Sequence, residues 1–332
     1  MSIRMIHVGV GGRGKWPVAR IAEREDYTSV ALVDVNEDNL AAAREVSGLG
    51  EEVCFNDMNE AMEIIEADAV VVVTPPDMHA GQCLAAVQGG KHVIVEKPFT
   101  KNLSKAAQVI REAEERGLKV AVCQNARFID PVYSIHKLVK DGTYGAPSFG
   151  LITKYGWRPN THHSGHDVHS YLWERGIHDF DATLFMFGKR PKRVWCHDFN
   201  PSWSPYPGGG GIHACIEFED GATCGFLCTF AAHSDGASLR IEFEKGTLQQ
   251  VGRELHLTRP GEKESETLPL SAGEVPEMIL LNGFRDYINE GNEPSFSGPN
   301  NLATVGLVEA LGEASQRGEV IDFEGFMNER TS

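Results

Sequence analysis

The first 125 residues alternate short runs rich in valine and isoleucine with longer amphipathic segments, and this alternation constrains the fold more than any other feature. The apolar runs are Ile3–Val10, Ser29–Asp34, Ala69–Thr74, Lys91–Glu96 and Lys119–Gln124. The segments with helical spacing are Gly14–Glu25, Glu37–Ser47, Asn59–Glu66, Asp77–Gly89 and Leu103–Arg116. Runs with few charges suit strands that are buried on both faces. The pattern therefore predicts an α/β domain with a doubly wound parallel sheet.

After residue 125 this alternation ends, and between residues 193 and 258 the β-like runs follow one another directly, separated by turn signals such as Glu219-Asp220-Gly221. Helical segments are grouped before residue 190 and after residue 275. Strands in succession with segregated helices are typical of α+β domains. We therefore predict two domains: a doubly wound Rossmann-type domain at residues 1–125, and an α+β domain with a large, mostly antiparallel open sheet at residues 126–332.

The charge and cysteine content exclude several classes of protein. The chain has 31 Lys and Arg residues against 47 Asp and Glu residues, a net charge of −16. Such a surface repels phosphate backbones and anionic membranes, so we expect neither nucleic acid nor membranes as partners. Seven scattered cysteines without a Cys-x-x-Cys pair indicate a reducing compartment. Because no apolar run is long enough for a signal peptide or a spanning helix, we predict a cytoplasmic protein.

A glycine motif, Gly9-Val10-Gly11-Gly12-Arg13-Gly14, lies directly between the first predicted strand and the first predicted helix. Its first glycine permits a tight turn, the second lets the backbone approach a pyrophosphate, and the third lets helix and strand pack closely. Asp34 ends the second predicted strand, 20 residues after Gly14, where an acid accepts hydrogen bonds from the adenosine ribose. The motif predicts bound NAD, and NADP is less favoured because Asp34 repels a 2′-phosphate. The predicted contacts are Gly9, Gly11, Gly12, Arg13, Gly14 and Asp34.

A second loop, Thr74-Pro75-Pro76-Asp77-Met78-His79, follows the predicted strand Ala69–Thr74. Ligands of open α/β sheets bind outside the carboxyl ends of the strands, at the point where the strand order reverses. We therefore expect this loop to run close to the middle of the cofactor. The predicted cofactor contacts are Thr74, Pro75, Pro76 and His79, and the alternative role of His79 is a local hydrogen bond at the helix start.

Two further motifs carry groups that can move a proton. Glu96-Lys97-Pro98 follows the predicted strand Lys91–Glu96, and Glu96 and Lys97 are predicted to lie at the cofactor. In the second domain, helical spacing places Glu174, His178 and Asp181 on one face. A lysine from one domain and an imidazole with carboxylates from the other can take a proton from a hydroxyl and shield the alkoxide, while a hydride departs to nicotinamide. The predicted catalytic residues are Lys97, His178, Glu174 and Asp181.

On these motifs the sequence resembles the Gfo/Idh/MocA oxidoreductase family, which includes glucose–fructose oxidoreductase and inositol dehydrogenase. The resemblance extends through Glu96-Lys97-Pro98 and His178-Asp179-Phe180-Asp181 to Ser297-Gly298-Pro299-Asn300. It implies a Rossmann domain that binds NAD(P), an essential lysine at Lys97 and an acid/base at His178. It also implies that Asp181 binds substrate or orients the histidine, and that the chain forms a homodimer or homotetramer through the open sheet.

The sequence departs from the family pattern Gly-Gly-x-x-x-Asp-x-x-x-His, because Glu174 occupies the acid position and His169-Ser170 replace the glycine pair. We therefore expect a substrate pocket that differs from that of inositol dehydrogenase. The leading interpretation is an NAD-dependent dehydrogenase that oxidises a secondary hydroxyl of a sugar, polyol or related small molecule. Two alternatives stay open: a glycosidase that recycles bound NAD through transient oxidation and elimination, and a non-catalytic sensor that binds the dinucleotide.

The segment from residue 155 to residue 173 concentrates aromatic and imidazole groups. These groups suit a polyhydroxylated ligand, since sugars present hydroxyls at their edges and C–H groups on their faces. The predicted substrate contacts are Trp157, Arg158, His162, His163, Tyr171, Glu174 and His178. A metal site is the alternative, because His163, His166 and His169 recur every three residues. The segment lacks a tight ligand signature, so we predict no metal.

Overall fold

The computed structural model describes residues 2–161, 168–271 and 273–332. The chain divides into two compact units. The first unit contains the residues through Asn125 together with Glu274–Val305 and Thr331, and the second contains Ala126–Gly273, Gly306–Arg330 and Ser332. The sequence pattern assigns everything from 126 to 332 to one domain, whereas in the structure the segment Glu274–Val305 belongs with the first unit.

The first unit is built on a parallel sheet. Its strands are β1 (Ile3–Val8), β2 (Tyr27–Val33), β3 (Cys54–Phe55), β4 (Ala69–Val72), β5 (His92–Val95) and β6 (Val120–Val122). Its first helices are α1 (Lys15–Ala22), α2 (Glu37–Ser47), α3 (Met58–Ile64), α4 (Pro76–Gln88) and α5 (Leu103–Glu115). Among the described residues the sheet has six strands in the order β3-β2-β1-β4-β5-β6, all parallel. The predicted doubly wound sheet is confirmed, and β4 and β6 are buried along their whole length.

Helix α8 (Pro276–Glu290) and the residues that follow it up to Val305 belong to the first unit, and they bond to its strands. The Tyr27 hydroxyl donates to the carbonyl of Leu281 over 2.7 Å. The backbone N–H of Val122 donates to the carbonyl of Phe296 over 2.9 Å. These bonds join β2 and β6 to a segment of the chain that is distant in sequence. Local periodicity does not predict such long-range contacts.

The strand order brings four functional segments to one edge of this sheet. Strands β1 and β4 are neighbours although β2 and β3 lie between them in sequence, so the order reverses at this pair. The carboxyl ends of parallel strands lie at the same edge. The glycine loop after β1, Asp34 after β2, Thr74 after β4 and Glu96 after β5 therefore lie along this edge.

The second unit is built on a mostly antiparallel sheet. Its elements up to residue 268 are α6 (Val132–Asp141), β7 (Pro147–Trp157), α7 (Ile177–Phe187), β8 (Pro191–Phe199), β9 (Gly211–Phe218), β10 (Thr223–Thr229), β11 (Ala231–Phe243), β12 (Gly246–Val251), β13 (Glu254–Thr258) and β14 (Glu266–Leu268). Helix α9 (Gly298–Arg317) contributes residues to both units, and β15 (Ile321–Asp322) and α10 (Phe323–Thr331) end the chain. In the described ranges the sheet has nine strands in the order β14-β13-β12-β11-β7-β10-β9-β8-β15. Among these nine described strands only β7 and β10 pair in parallel, so the predicted α+β architecture is confirmed.

The two faces of this sheet differ in burial. Aromatic side chains of α7 pack on one face, where Phe180 lies 4.9 Å from Phe226 and Phe187 lies 4.9 Å from Phe218 between ring centroids. The other face leaves Leu151 of β7 47% exposed. Each strand therefore alternates between a helix-covered core and an open surface. Within the described ranges, no helix combines the length and apolarity needed to cross a bilayer.

A buried histidine in β1 makes stability depend on pH. His7 is 1% exposed, its Nε2 lies 2.8 Å from Ser29 Oγ, and burial lowers its pKa to about 3. An unfolded imidazole takes up a proton below a pH of about 6.5. Between these values the unfolded state binds the additional proton, so stability is lost as the pH falls. We expect this residue to lower the free energy of unfolding by about 1.4 kcal/mol per pH unit between about pH 6 and pH 4.

Urea unfolding at a series of pH values between 7 and 4 measures this dependence. The slope of the free energy of unfolding against pH is proportional to the number of protons that the chain takes up on unfolding. His7→Gln should reduce this number by about one, whereas His213→Gln, at an exposed position of β9, should leave it unchanged. Part of the slope should remain in His7→Gln, because burial also lowers the pKa of His79 and His92. Equal slopes for His7→Gln and the unsubstituted protein would contradict the assignment.

Candidate active site

The glycine loop after β1 has a conformation that only glycine tolerates. Gly9 has a φ of +79°, and a Cβ there would lie 2.5 Å from the carbonyl oxygen of Val73. A Cβ on Gly14 would lie 1.9 Å from the carbonyl oxygen of Gly9. Gly12 has a φ of +45° and, among the described atoms, open space in front of it. A backbone exposed at a helix start with space before it suits a pyrophosphate, so the loop fits the NAD that the motif predicts.

Asp34 is placed by the same loop. One carboxylate oxygen accepts from the backbone N–H groups of Val10 at 2.9 Å and Gly11 at 3.2 Å. The space next to Gly11 is taken by the amide of Asn39, since an ideal Cβ at Gly11 would lie 2.3 Å from Asn39 Nδ2. The absence of a side chain at position 11 therefore serves packing within the protein as well as the predicted approach of a pyrophosphate.

Arg13 and Glu96, both predicted cofactor contacts, bind each other. Arg13 Nε donates to Glu96 Oε1 over 2.9 Å, and Trp16 Nε1 donates to the same oxygen over 3.0 Å. Arg13 also lies 3.3 Å from the carboxylate of Glu277. The other oxygen of Glu96 accepts from the backbone N–H of Lys97. Glu96, 6% exposed, thus joins the glycine loop to the segment that carries Lys97, and Arg13 is held by carboxylates.

His79 joins the other two loops of this edge. Its Nε2 lies 2.9 Å from the carbonyl oxygen of Thr74, and its Nδ1 lies 2.7 Å from that of Pro98. The ring is 1% exposed, and burial lowers the pKa of His79 although the two carbonyls act against this shift. Pro75 and Pro76 begin α4. The histidine is therefore placed to fix the backbone beside the cofactor loop, the alternative role given by the sequence.

The second unit presents its candidate residues from a π-helical turn. Residues Leu172–Gly176 form this turn, and α7 follows directly with His178 in its first turn. Wider turns of this kind occur frequently at functional sites. The turn carries Glu174, whose side chain is 4% exposed, while His178 is partly buried. The regular α-helical spacing predicted between residues 174 and 178 is thus replaced by a wider one.

Glu174 is held by residues from two other segments. Arg158 Nη1 donates to Glu174 Oε2 over 2.9 Å, and the Tyr206 hydroxyl donates to the same oxygen over 3.3 Å. The Arg158 guanidinium lies 3.9 Å from the centre of the Phe230 ring. Burial and these two donors hold the carboxylate in one place. Arg158 and Glu174, both predicted substrate contacts, are therefore brought together.

The remaining carboxylates of α7 are paired inside the second unit. Asp181, fully buried, accepts from Arg127 through two bonds of 2.7 and 2.5 Å. Asp179 accepts from Lys154 and, over 3.0 Å, from the Tyr171 hydroxyl. Burial raises the pKa of Tyr171. Both oxygens of Asp181 are engaged with Arg127, so this predicted catalytic residue is placed to support the helix.

Further predicted contacts lie around an aromatic group. Trp157, 41% exposed, lies 5.9 Å from the His233 ring, and Trp203 stacks on the same ring at 5.3 Å. Tyr171 is buried. His162, His163 and His166 lie outside the described residues. His169 pairs with Asp198, and within the described ranges no group of His, Cys, Asp or Glu side chains is arranged to hold a metal.

Sequence reasoning did not identify Asn39, Arg127 or Tyr206. Arg127 and Tyr206 are far in sequence from the carboxylates that they contact, so spacing gives no signal for them. Tyr206 follows Pro205 in a glycine-rich loop, yet it is 3% exposed. Asn39 differs from these two, because it lies five residues after Asp34 and in the first turn of α2. This closeness in sequence could have indicated its contact with Asp34.

Comparison with known proteins agrees with this geometry. Residues 3–124 match the model of the GFO/IDH/MocA oxidoreductase family with an NAD-binding Rossmann fold, and residues 132–249 match the GFO/IDH/MocA C-terminal domain. D-apiose dehydrogenase of Paraburkholderia graminis is 25% identical, over 89% of this chain and 83% of that protein. Inositol 2-dehydrogenase of Mycolicibacterium smegmatis is 29% identical, over 78% of this chain and 75% of that protein.

The fold is shared with solved structures. An oxidoreductase from Agrobacterium radiobacter, solved in complex with NAD+, L-tartaric acid and magnesium, superposes with a TM-score of 0.80. The two chains are 22% identical, and the match covers 98% of this chain and 99% of the other. At this identity the likeness concerns the fold.

The buried ion pair between Asp181 and Arg127 predicts that Asp181 stabilises the fold, and substitution of Asp181 tests this role. Asp181→Asn leaves the buried guanidinium without its counter-charge, so we expect a loss of about 3–5 kcal/mol in the free energy of unfolding. Asp220→Asn is the matched control, since Asp220 is half exposed and pairs with Lys189 at the surface; we expect a change of at most about 1 kcal/mol there. Chemical denaturation measures both. A stable Asp181→Asn protein would argue against the structural role.

Proposed function

Because the chain belongs to the Gfo/Idh/MocA family of NAD-binding oxidoreductases, we propose that it oxidises a secondary hydroxyl of a sugar, polyol or related small molecule with NAD+. The family resemblance and the NAD cofactor predicted from the sequence are confirmed by the two domain matches. The relatives named above are a D-apiose dehydrogenase and an inositol 2-dehydrogenase, which supports the proposed substrate class.

The observation that carries the proposal is the fixed carboxylate of Glu174. Arg158 and Tyr206 hold one of its oxygens, and the π-helical turn that carries it leads directly into His178. A preorganised carboxylate bonded to a guanidinium, with an imidazole four residues further along the chain, suits a ligand rich in hydroxyl groups, because each hydroxyl both donates and accepts. We assign Glu174 and Arg158 to substrate binding.

The proposed roles of the two basic side chains follow from their chemistry. His178 takes the proton of the reacting hydroxyl as general base. Lys97, which follows β5 at the cofactor edge of the first unit, supplies a positive charge that stabilises the developing alkoxide. When NAD+ is bound, its nicotinamide supplies the hydride acceptor. The substrate loses a proton and a hydride and leaves as the ketone.

A panel of sugars, polyols and inositols with NAD+ and NADP+, followed by NADH fluorescence, tests the proposal. We expect net NADH formation with at least one member and a preference for NAD+. His178→Asn and Lys97→Ala should lower kcat on that substrate by about a hundredfold or more. Lys105→Ala, at an exposed position of α5, is the control and should keep full activity.

The same experiment separates the alternatives. Cleavage of a glycoside without net formation of NADH would contradict the dehydrogenase activity and support the NAD-recycling glycosidase. Normal NAD+ binding without turnover of any substrate or glycoside, and without an effect of Lys97→Ala on biological function, would favour the non-catalytic sensor. Full activity of His178→Asn would remove the proposed general base.

We also propose that the open face of the second unit's sheet packs against a second copy of the chain. Four side chains on this face of β7 are exposed by 36–49%: Phe149, Leu151, Tyr155 and Trp157. Contiguous apolar surface of this kind on one sheet face marks an interaction site. A homodimer or homotetramer is the assembly that the family resemblance implies, and a cytoplasmic location stays a prediction.

The mass in solution tests this assembly. We expect light scattering after gel filtration to give the mass of a dimer or tetramer, and Leu151→Glu to reduce it by placing a charge in the apolar contact. Ile64→Glu is the control, because Ile64 is 62% exposed on α3 of the first unit. A monomeric mass for the unsubstituted protein, or an unchanged mass for Leu151→Glu, would contradict the proposal.

A further inference from the structure

The carboxylate of Asp34 is saturated with hydrogen bonds from its own unit. Oδ2 accepts from the backbone N–H groups of Val10 at 2.9 Å and Gly11 at 3.2 Å. Oδ1 accepts from the backbone N–H of Asn36 at 2.9 Å and from Asn39 Nδ2 at 3.2 Å. An ionised carboxylate offers about four acceptor positions. The donors in the described part of the chain therefore fill them, and a ribose hydroxyl has to replace one.

The four donors differ in how easily they withdraw. Those of Val10 and Gly11 belong to the backbone of the glycine loop, where Gly9 and Gly14 pack so closely on neighbouring carbonyl oxygens that a Cβ would not fit. The N–H of Asn36 belongs to the backbone at the start of α2, where the Asn36 side chain caps the helix. The amide of Asn39 is carried by a side chain, partly exposed in the first turn of α2, and leaves Asp34 by rotating about its own bonds.

We infer that Asn39 is a displaceable competitor of the cofactor. In the cofactor-free protein its amide occupies the acceptor position on Asp34 that a hydroxyl of the adenosine ribose takes when NAD binds. Asn39 therefore sets the affinity for NAD by competing for Asp34. This inference rests on the NAD-binding role of the first unit and is independent of the proposed substrate.

The competition has a consequence for the reaction cycle. When the cofactor leaves, the Asn39 amide returns to Asp34, so no charged oxygen is left without its donor. The free-energy cost of releasing the cofactor is then lower than in a site where the ribose is the only hydrogen-bond partner of the acid. A protein that lowers its own affinity in this way is suited to exchanging NADH for NAD+ in each turnover, which favours the dehydrogenase over the enzyme that retains its cofactor.

Binding of ADP-ribose, measured by titration calorimetry, tests the competition without any hydride transfer. Asn39→Ala and Asn39→Leu both remove the amide, and Leu keeps its bulk next to Gly11. We expect both variants to bind ADP-ribose about threefold to tenfold more tightly than the unsubstituted protein. Tighter binding by the alanine variant alone would show that the side chain acts by its volume and would overturn the inference.

Three controls isolate the effect. Nicotinamide mononucleotide lacks the adenosine ribose, so its affinity should be the same in all variants. Asn59→Ala changes an exposed asparagine in the first turn of α3 and should leave ADP-ribose binding unaltered. The rise in Tm caused by saturating ADP-ribose should be larger in both Asn39 variants, since helix propensity affects the empty and loaded states equally.

Two outcomes contradict the inference directly. Weaker ADP-ribose binding in the Asn39 variants would show that the amide contacts the cofactor. An unchanged Kd in both would show that Asn39 keeps its bond to Asp34 in the loaded protein. Because ADP-ribose lacks nicotinamide, these results stand apart from the substrate panel, so a failed substrate assignment leaves them untouched.

Discussion

The first unit depends on a backbone approach that leaves no room for a side chain. A Cβ at Gly14 would lie 1.9 Å from the carbonyl oxygen of Gly9, and one at Gly9 would lie 2.5 Å from that of Val73. This contact sets the distance between the start of α1, the end of β1 and the end of β4. The N–H groups of Val10 and Gly11 are thereby held at the sheet edge, where they donate to Asp34.

Paired carboxylates organise both units around their candidate sites. Glu96 ties the glycine loop to Lys97 through Arg13 and Trp16. In the second unit Glu174 is fixed by two donors, and Asp181 anchors α7 to Arg127. Because each buried carboxylate has donors of its own, it is held in one orientation without a ligand. Such preorganisation is what binding of a hydroxyl-rich substrate requires.

The two fold classes were predictable because each follows from local periodicity. Uninterrupted Val and Ile runs give buried parallel strands, and alternating runs give a sheet with one open face. The placement of α8 was not predictable, since it depends on long-range contacts such as the hydrogen bond between Tyr27 and Leu281, which lie 254 residues apart. Arg13 shows the same limit within the site. Its position in the motif predicts a cofactor contact, and the fold additionally brings the carboxylates of Glu96 and Glu277 within reach of its guanidinium.

The order of residues alone specifies which chemical groups the chain carries: a glycine loop with an acid 20 residues further on, a lysine after a buried strand, and a histidine close in sequence to several acids. The partner of each acid is set by folding. Asp181 is consumed in a buried pair, Glu174 is held by Tyr206 from a distant loop, and Asp34 is saturated by its own unit. The physical reason is that periodicity records which face of an element is buried, whereas the partner of a charged group is chosen by long-range packing.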